Sequence, residues 1–251
     1  MTTDSVFYAY SRYYDLLYRD KDYAAEVEYI CSLLDRYGIG GHDILEFGSG
    51  TGKHGRLLAE RGYKVVGIER SAEMVAQAHS TEGFRCMQGD ICTVNLGKAF
   101  DAVLSLFHVV SYQVRNESVR DVFARAAEHL KRGGVFIFDV WYSPAVYTLR
   151  PEVRVKRMAD SPVEITRIAE PEIYPNENRV DVNYTIFAKD HISGSIETLS
   201  ETHRMRHFSL PELNLFAELT GFEPPLATEE FLTGNAPSED TWGVCVVLRR
   251  R

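Results

Sequence analysis

Glu46-Phe47-Gly48-Ser49-Gly50-Thr51-Gly52 joins a short apolar strand, residues 44–47, to a helical stretch around 53–61 that ends at Gly62. In a doubly wound sheet such a strand-to-helix turn lies at the carboxyl edge, where ligands bind. Three glycines let the backbone pass close beneath a ligand that side chains would displace.

Outward from this turn the pattern repeats. Before it, residues 22–37 carry Tyr23, Val27, Ile30, Leu34 and Tyr37 at three- and four-residue steps, an amphipathic helix stopped by Gly38. After it come a strand at 64–68, a helix capped by Ser71 with Met74, Val75 and Ala78 inward, and strands at 84–87 and 102–106. Residues 117–131 place Val119, Val122, Phe123, Ala126 and Leu130 on one helical face, and Gly133-Gly134 is expected to end that helix. A fifth, almost continuously apolar strand spans 135–140. Strands apolar on both faces, alternating with helices, predict a parallel sheet covered on both sides. Beyond Tyr142 the period changes to two, clearest where Val180, Val182, Tyr184 and Ile186 alternate with Asp181, Asn183 and Thr185. A helix at 211–220 and an apolar strand at 243–248 close the chain. The expected fold is α/β, Rossmann-like and doubly wound, mostly parallel, with an inserted antiparallel β-meander. The main domain is residues 1–149 with 209–251, and the insertion is 150–208.

With 251 residues, 45% of them hydrophobic, the chain can bury one domain core plus an insertion. A net charge of −8 argues against nucleic acid as the partner, since phosphates demand a basic face. Arg249 to Arg251 read as a solvated end. No apolar run approaches the roughly 18–20 residues of a membrane span. Met1-Thr2-Thr3-Asp4 lacks the basic-then-apolar order of a signal peptide. Cys31, Cys86, Cys92 and Cys245 show no pairing or zinc spacing and read as small core residues. A cytoplasmic protein with reduced thiols is expected.

Two readings of the turn compete. Gly50-x-Gly52-x-x-Gly55 matches a dinucleotide fingerprint, with Glu69 about twenty residues on. Its first glycine, however, falls a few residues beyond the strand, and the Glu46 carboxylate would repel a pyrophosphate. A ligand carrying a sulfonium and an ammonium group would not be repelled. A P-loop fails, because Gly48 and Gly52 are too close and His54 follows Lys53.

These residues resemble the class I S-adenosylmethionine-dependent methyltransferases. The acid followed by G-x-G-x-G is Glu46, Gly48, Gly50 and Gly52; the acid ending the next strand is Glu69; the Gly-Asp pair after the third strand is Gly89-Asp90. The resemblance implies that Glu69 takes the ribose hydroxyls and Asp90 the adenine amino group. Ser49, Thr51, Arg70, Met74 and Ile91 complete the expected S-adenosylmethionine site. Asp22-Tyr23-Ala24-Ala25-Glu26, Gly50-Thr51-Gly52-x-His54, Ser105-Leu106-Phe107 and Asp139-x-Trp141-x-x-Pro144 narrow the resemblance. They are similar to N-methyltransferases of nucleotide-linked amino deoxysugars and to sugar methyltransferases of polysaccharide clusters. By that resemblance Tyr23 reaches the methionine carboxylate, the backbone at Leu106 meets the ammonium, and the insertion walls the acceptor pocket. The chain departs from the pattern twice. Glu239 and Asp240 follow Pro237-Ser238 where some relatives place a phosphate-binding arginine, and His108 stands where serine is common.

Methyl transfer chiefly needs an aligned acceptor and an absence of water. A hydroxyl acceptor gains from a base, and His108, at the end of the fourth strand, suits that role. Its alternative is a pocket-lining imidazole. Trp141 and Tyr142 either stack on a sugar or pack the hinge. His203 and Arg204 either meet the acceptor or form a cross-strand ion pair, and Tyr14 and Tyr112 are further acceptor-side candidates. Tyr8, Tyr10, Tyr13, Tyr14 and Tyr18 form an aromatic N-terminal run; the resemblance implies a lid over the pocket, and plain packing is the alternative for about half of them. His54 is expected to brace the glycine turn. No metal-ligand spacing is present. The partner expected is a small-molecule acceptor, without nucleic acid or membrane, and a homodimer is compatible with it. A non-catalytic cofactor-binding module and an NAD-dependent oxidoreductase remain alternatives.

Overall fold

The computed structural model describes residues 11–251. Its helices are α1 (Ser11–Leu17), α2 (Tyr23–Tyr37), α3 (Lys53–Glu60), α4 (Ala72–Gln77), α5 (Asn116–His129), α6 (Ser143–Thr148) and α7 (Leu210–Leu219). Its strands are β1 (Asp43–Phe47), β2 (Lys64–Glu69), β3 (Phe84–Gln88), β4 (Phe100–Ser105), β5 (Leu130–Tyr142), β6 (Arg154–Ala159), β7 (Val163–Tyr174), β8 (Arg179–Asp190), β9 (Ile196–Phe208), β10 (Ala227–Glu230) and β11 (Gly243–Arg249).

Alternation along the strands builds two cores from one sheet. Ala102, Leu104 and Ile137 bury against Val27, Ile30 and Leu33 of α2 and Leu58 of α3. Val103, Phe136 and Phe138 bury on the other side against Val119, Val122 and Phe123 of α5 and Phe216 of α7. The parallel strands run in the order β3-β2-β1-β4-β5. β11 lies antiparallel to β5, from Gly243 opposite Trp141 to Arg249 opposite Val135, and β10 pairs with β11.

One boundary differs from expectation. Gly133-Gly134 does not end α5, which stops at His129; both glycines lie inside β5. Leu130 is fully buried and pairs with Phe100, which draws the chain into the sheet five residues early. A Cβ on Gly134 would crowd the Asp101 carbonyl, so the glycine permits the close approach.

β6 to β9 form an antiparallel meander that continues the sheet in the order β9-β8-β7-β6. It joins the parallel part where Trp141 and Tyr142 of β5 run beside His207 and Phe208 of β9. Its inner face carries Tyr184, Ile186 and Ala188 against α1 and, further along, Val180 and Val182 against Val146 of α6. α1 touches both halves. Asp15 accepts from Thr51 Oγ1 at 2.9 Å and lies 3.2 Å from Lys53 Nζ, while Arg12 pairs with Glu197 of β9 at 3.0 Å. No described helix is long and apolar enough to cross a membrane.

Candidate active site

The β1–α3 turn is set by backbone conformation. Gly48 and Gly52 adopt φ of 68° and 77°, a left-handed region costly to other residues. A Cβ on Gly48 would run into Val109, and one on Gly52 into the Phe84 ring. The turn hangs on β2, since Gly48 N–H and Ser49 N–H both donate to the Ile68 carbonyl at 2.7 and 3.2 Å. Ser49 Oγ sits 3.2 Å from Cys86 Sγ. Glu69, at the end of β2, accepts from Gly50 N–H at 2.9 Å and Ser71 N–H at 2.8 Å. Met74 is buried beside Gly50, Arg70 is exposed, and Gly89 N–H donates to the Glu69 carbonyl at 2.9 Å. Asp90 is exposed, with one carboxylate oxygen accepting from Cys92 N–H at 2.8 Å. Ile91 and Leu106 are buried in the two cores.

The carboxylates of this turn are short of donors. Glu46 is 1% exposed and its Oε2 has no hydrogen-bond partner among the described residues. Burial, and then the nearby Glu69, push its carboxyl up to about 8. Burial also raises the Glu69 carboxyl above its ordinary range, against the pull of its backbone donors. A pocket with this deficit favours a cation and hydroxyl donors and repels a phosphate. The third glycine of the dinucleotide fingerprint serves packing instead. A Cβ on Gly55 would strike Phe84 and come within 2.9 Å of Glu46 Oε2.

His54 braces the turn as its position suggests. Its Nε2 lies 2.7 Å from Glu26 Oε2, which ties α3 to α2, and its Nδ1 is 3.9 Å from Glu46 Oε1. Burial opposes ionisation of Glu26, but His54 and Lys21 outweigh it and hold the carboxyl below its usual range. Tyr23 stacks edge-on against His54 at 5.0 Å, and burial raises its hydroxyl far above the ordinary value. Lys21 Nζ lies 4.5 Å over the Tyr23 ring and 4.4 Å over that of Phe107.

Phe107 and His108 follow β4 with consecutive φ of 65° and 62°. His108 Nδ1 then lies 2.7 Å from Asp139 Oδ2 of β5. Trp141 flanks His108 at 6.2 Å and Trp242 at 5.4 Å. Tyr142, one residue on, packs instead on the α5–α7 core, because successive strand residues point to opposite faces.

The inner face of the meander gathers a second polar group. Tyr112, in the single 3₁₀ turn after β4, bonds to His203 Nδ1 at 2.9 Å, and His203 Nε2 is 3.3 Å from Glu201 Oε2. Burial lowers the His203 imidazole below its ordinary value. Tyr184 meets His203 edge-on at 4.8 Å, and Arg167 donates to the Tyr18 hydroxyl at 3.3 Å. Tyr18 packs on Tyr14 at 4.8 Å and on Phe107 at 5.1 Å. Arg204 is not brought to this group. The alternation of β9 turns it to the outer face, exposed, with Asp181 at 3.8 Å. Tyr8 and Tyr10 lie outside the described residues.

Residues 44–134 match the family described as Methyltransferase domain. The dTDP-3-amino-3,4,6-trideoxy-α-D-glucopyranose N,N-dimethyltransferase of Streptomyces venezuelae is 30% identical over 179 residues, 69% of this chain and 74% of that protein. The chain is a class I S-adenosylmethionine-dependent methyltransferase. A second relative of this methyltransferase, the dTDP-3-amino-3,6-dideoxy-α-D-glucopyranose N,N-dimethyltransferase of Streptomyces fradiae, is 27% identical over 78% of this chain and 76% of its own. The fold is shared with a sugar N-methyltransferase from Streptoalloteichus at a TM-score of 0.81 and 23% identity, covering 100% of this chain and 95% of that one. The methyltransferase's own residues fit its cofactor, since the unpartnered Glu46 oxygen and the raised Glu69 carboxyl suit an ammonium group and a ribose diol.

Asp139, Arg167, Tyr184 and Glu201 were not singled out as site residues from sequence. Asp139 carried a signal, a carboxylate inside the apolar run 135–140.

Proposed function

We propose that the methyltransferase acts on a polar group of a small sugar, nucleotide-linked, held between the glycine turn and the antiparallel insertion at 150–208. The observation that carries this reading is the polar, aromatic wall of Tyr112, Tyr184, Arg167, Glu201 and His203 beside the end of β4. Aromatic rings offer stacking faces to a sugar, and converging donors and acceptors match its hydroxyls. The two relatives named for dTDP-linked amino sugars support the same acceptor class.

In this reading Glu69 takes the ribose hydroxyls, Asp90 the adenine amino group, and Glu46, Tyr23 and the Leu106 backbone the methionine end. Bound there, S-adenosylmethionine supplies a methyl group activated by positive sulfur. The chain aligns the acceptor and excludes water, with α1 and Tyr18 covering the junction of the two halves of the sheet.

Calorimetry with S-adenosylhomocysteine and with NAD, followed by mass-spectrometric turnover on dTDP- and UDP-sugars beside non-sugar amines, tests the proposal. Binding of S-adenosylhomocysteine alone, with methylation confined to sugars, is expected. Methylation confined to the non-sugar amines would overturn it.

A further inference from the structure

The cofactor-holding residues leave one buried charge unexplained. Asp139 interrupts the apolar stretch of β5, its side chain 2% exposed, with Cys245 of β11 opposite it. A carboxylate taken out of water persists only when charge and hydrogen bonds compensate. Among the described residues His108 supplies most of that compensation. His108 brings its Nδ1 to 2.7 Å from Oδ2 and its backbone N–H to 3.3 and 3.2 Å from the two oxygens. Burial acts to raise the Asp139 carboxyl, but the attraction and hydrogen bonds of His108 outweigh it and hold the group below its usual range. Besides this pair, the charged or titratable groups facing it are Lys21, over the Phe107 ring, and the Cys245 thiol.

The surroundings fix how the imidazole is turned. The left-handed conformations of Phe107 and His108 swing the ring back toward β5. Trp141 flanks it. The side chain is 22% exposed, so the ring is open on part of its edge while Asp139 is closed off. A carboxylate 2.7 Å from Nδ1 favours the proton on that nitrogen, the tautomer that leaves Nε2 with its lone pair.

We propose that Asp139 is a positioning residue that orients His108 as the proton acceptor of the reaction, and that the methylated group is a hydroxyl. A neutral amine brings its own lone pair and needs no buried base, whereas a hydroxyl oxygen must give up its proton as it bonds to carbon. The new bond joins oxygen to the methyl carbon, the carbon–sulfur bond breaks with its electrons remaining on sulfur, and the O–H proton passes to His108 Nε2. The acceptor half of this inference rests on the sugar reading above.

The test combines two readouts on the full chain. Nitrogen-15 NMR of His108, without any acceptor, should show the Nδ1–H tautomer in the unaltered protein and its loss in Asp139→Asn. An unchanged tautomer in Asp139→Asn overturns the positioning role. Turnover is then measured on sugar nucleotides differing only in a hydroxyl or an amine at one carbon. The oxygen-methylated product is expected, with kcat down about 100-fold in Asp139→Asn and His108→Gln while S-adenosylhomocysteine affinity and acceptor KM stay within about threefold. Should Asp139→Asn fold poorly, Asp139→Ala carries the tautomer readout and His108→Gln the turnover readout. Methylation of the amine at an undiminished rate in His108→Gln overturns the hydroxyl assignment. A protein that methylates no sugar yet shows the tautomer change overturns the sugar reading and sustains the His108–Asp139 pair.

Discussion

The two halves of the sheet build their parts of the site by different means. In β1, β2 and β4 the strands are buried on both faces, and the proposed site is made by backbone: left-handed glycines, N–H groups on Glu69, and carboxylates closed off from water. In β6–β9 the strands are buried on one face, and the site is made by side chains that reach across the fold, Tyr112 to His203 and Arg167 to Tyr18. A backbone-built site tolerates almost no change without disturbing the strands that carry it. A site of projecting side chains can be exchanged residue by residue while the ladder beneath persists. The first suits a cofactor common to a whole family, the second an acceptor that differs among members.

That division can be broken by experiment. The largest effect is expected for Glu69→Ala, which removes the anchor of Gly50 and Ser71 together with the proposed ribose contact. Two bonds to a charged acceptor are worth about 1.5–3 kcal/mol each, so S-adenosylhomocysteine should bind at least tenfold more weakly by calorimetry. Unchanged affinity would remove Glu69 from the site. His203→Ala should act on the other half alone. Losing the bonds to Tyr112 and Glu201 should raise acceptor KM about tenfold, with cofactor affinity within about twofold; a matching loss of both would mean the halves are not separable. The smallest effect is a pH dependence confined to the first half. Glu46 titrates at about 8 without cofactor, and a cationic ligand must lower that value, so binding releases a proton below pH 8. Affinity should therefore rise with pH from 6 toward 8, by less than tenfold per pH unit, and level off above; Glu46→Gln should bind with no such slope. A flat profile in the unaltered protein would detach Glu46 from the bound cation.

The same contrast explains what the sequence revealed. Buried parallel strands are mostly apolar, so β1, β2 and β4 were legible to within two residues. The glycine turn and Glu69 are local to one strand–turn–helix unit and were equally plain. β10, Ala-Thr-Glu-Glu, has no period and takes its strand form from pairing with β11, and α6 is six residues opened by Ser143-Pro144. The side-chain pairs were hidden by separation. Asp139 is 31 residues from His108 and His203 is 91 from Tyr112, distances that only the strand order closes. Arg204 is kept from that group by strand alternation, which turns it to the face opposite its neighbour His203.

Phe107 and His108 stand consecutively in a conformation that costs ordinary residues roughly 1–2 kcal/mol each, against a typical domain stability of about 5–15 kcal/mol. Inheritance acts unevenly on such a pair. Drift to glycine or asparagine at either position relieves the backbone and favours a longer-lived protein, while only selection for turnover retains the bulkier residues. A descendant released from its reaction would therefore forfeit the aim of the imidazole well before it forfeited its fold.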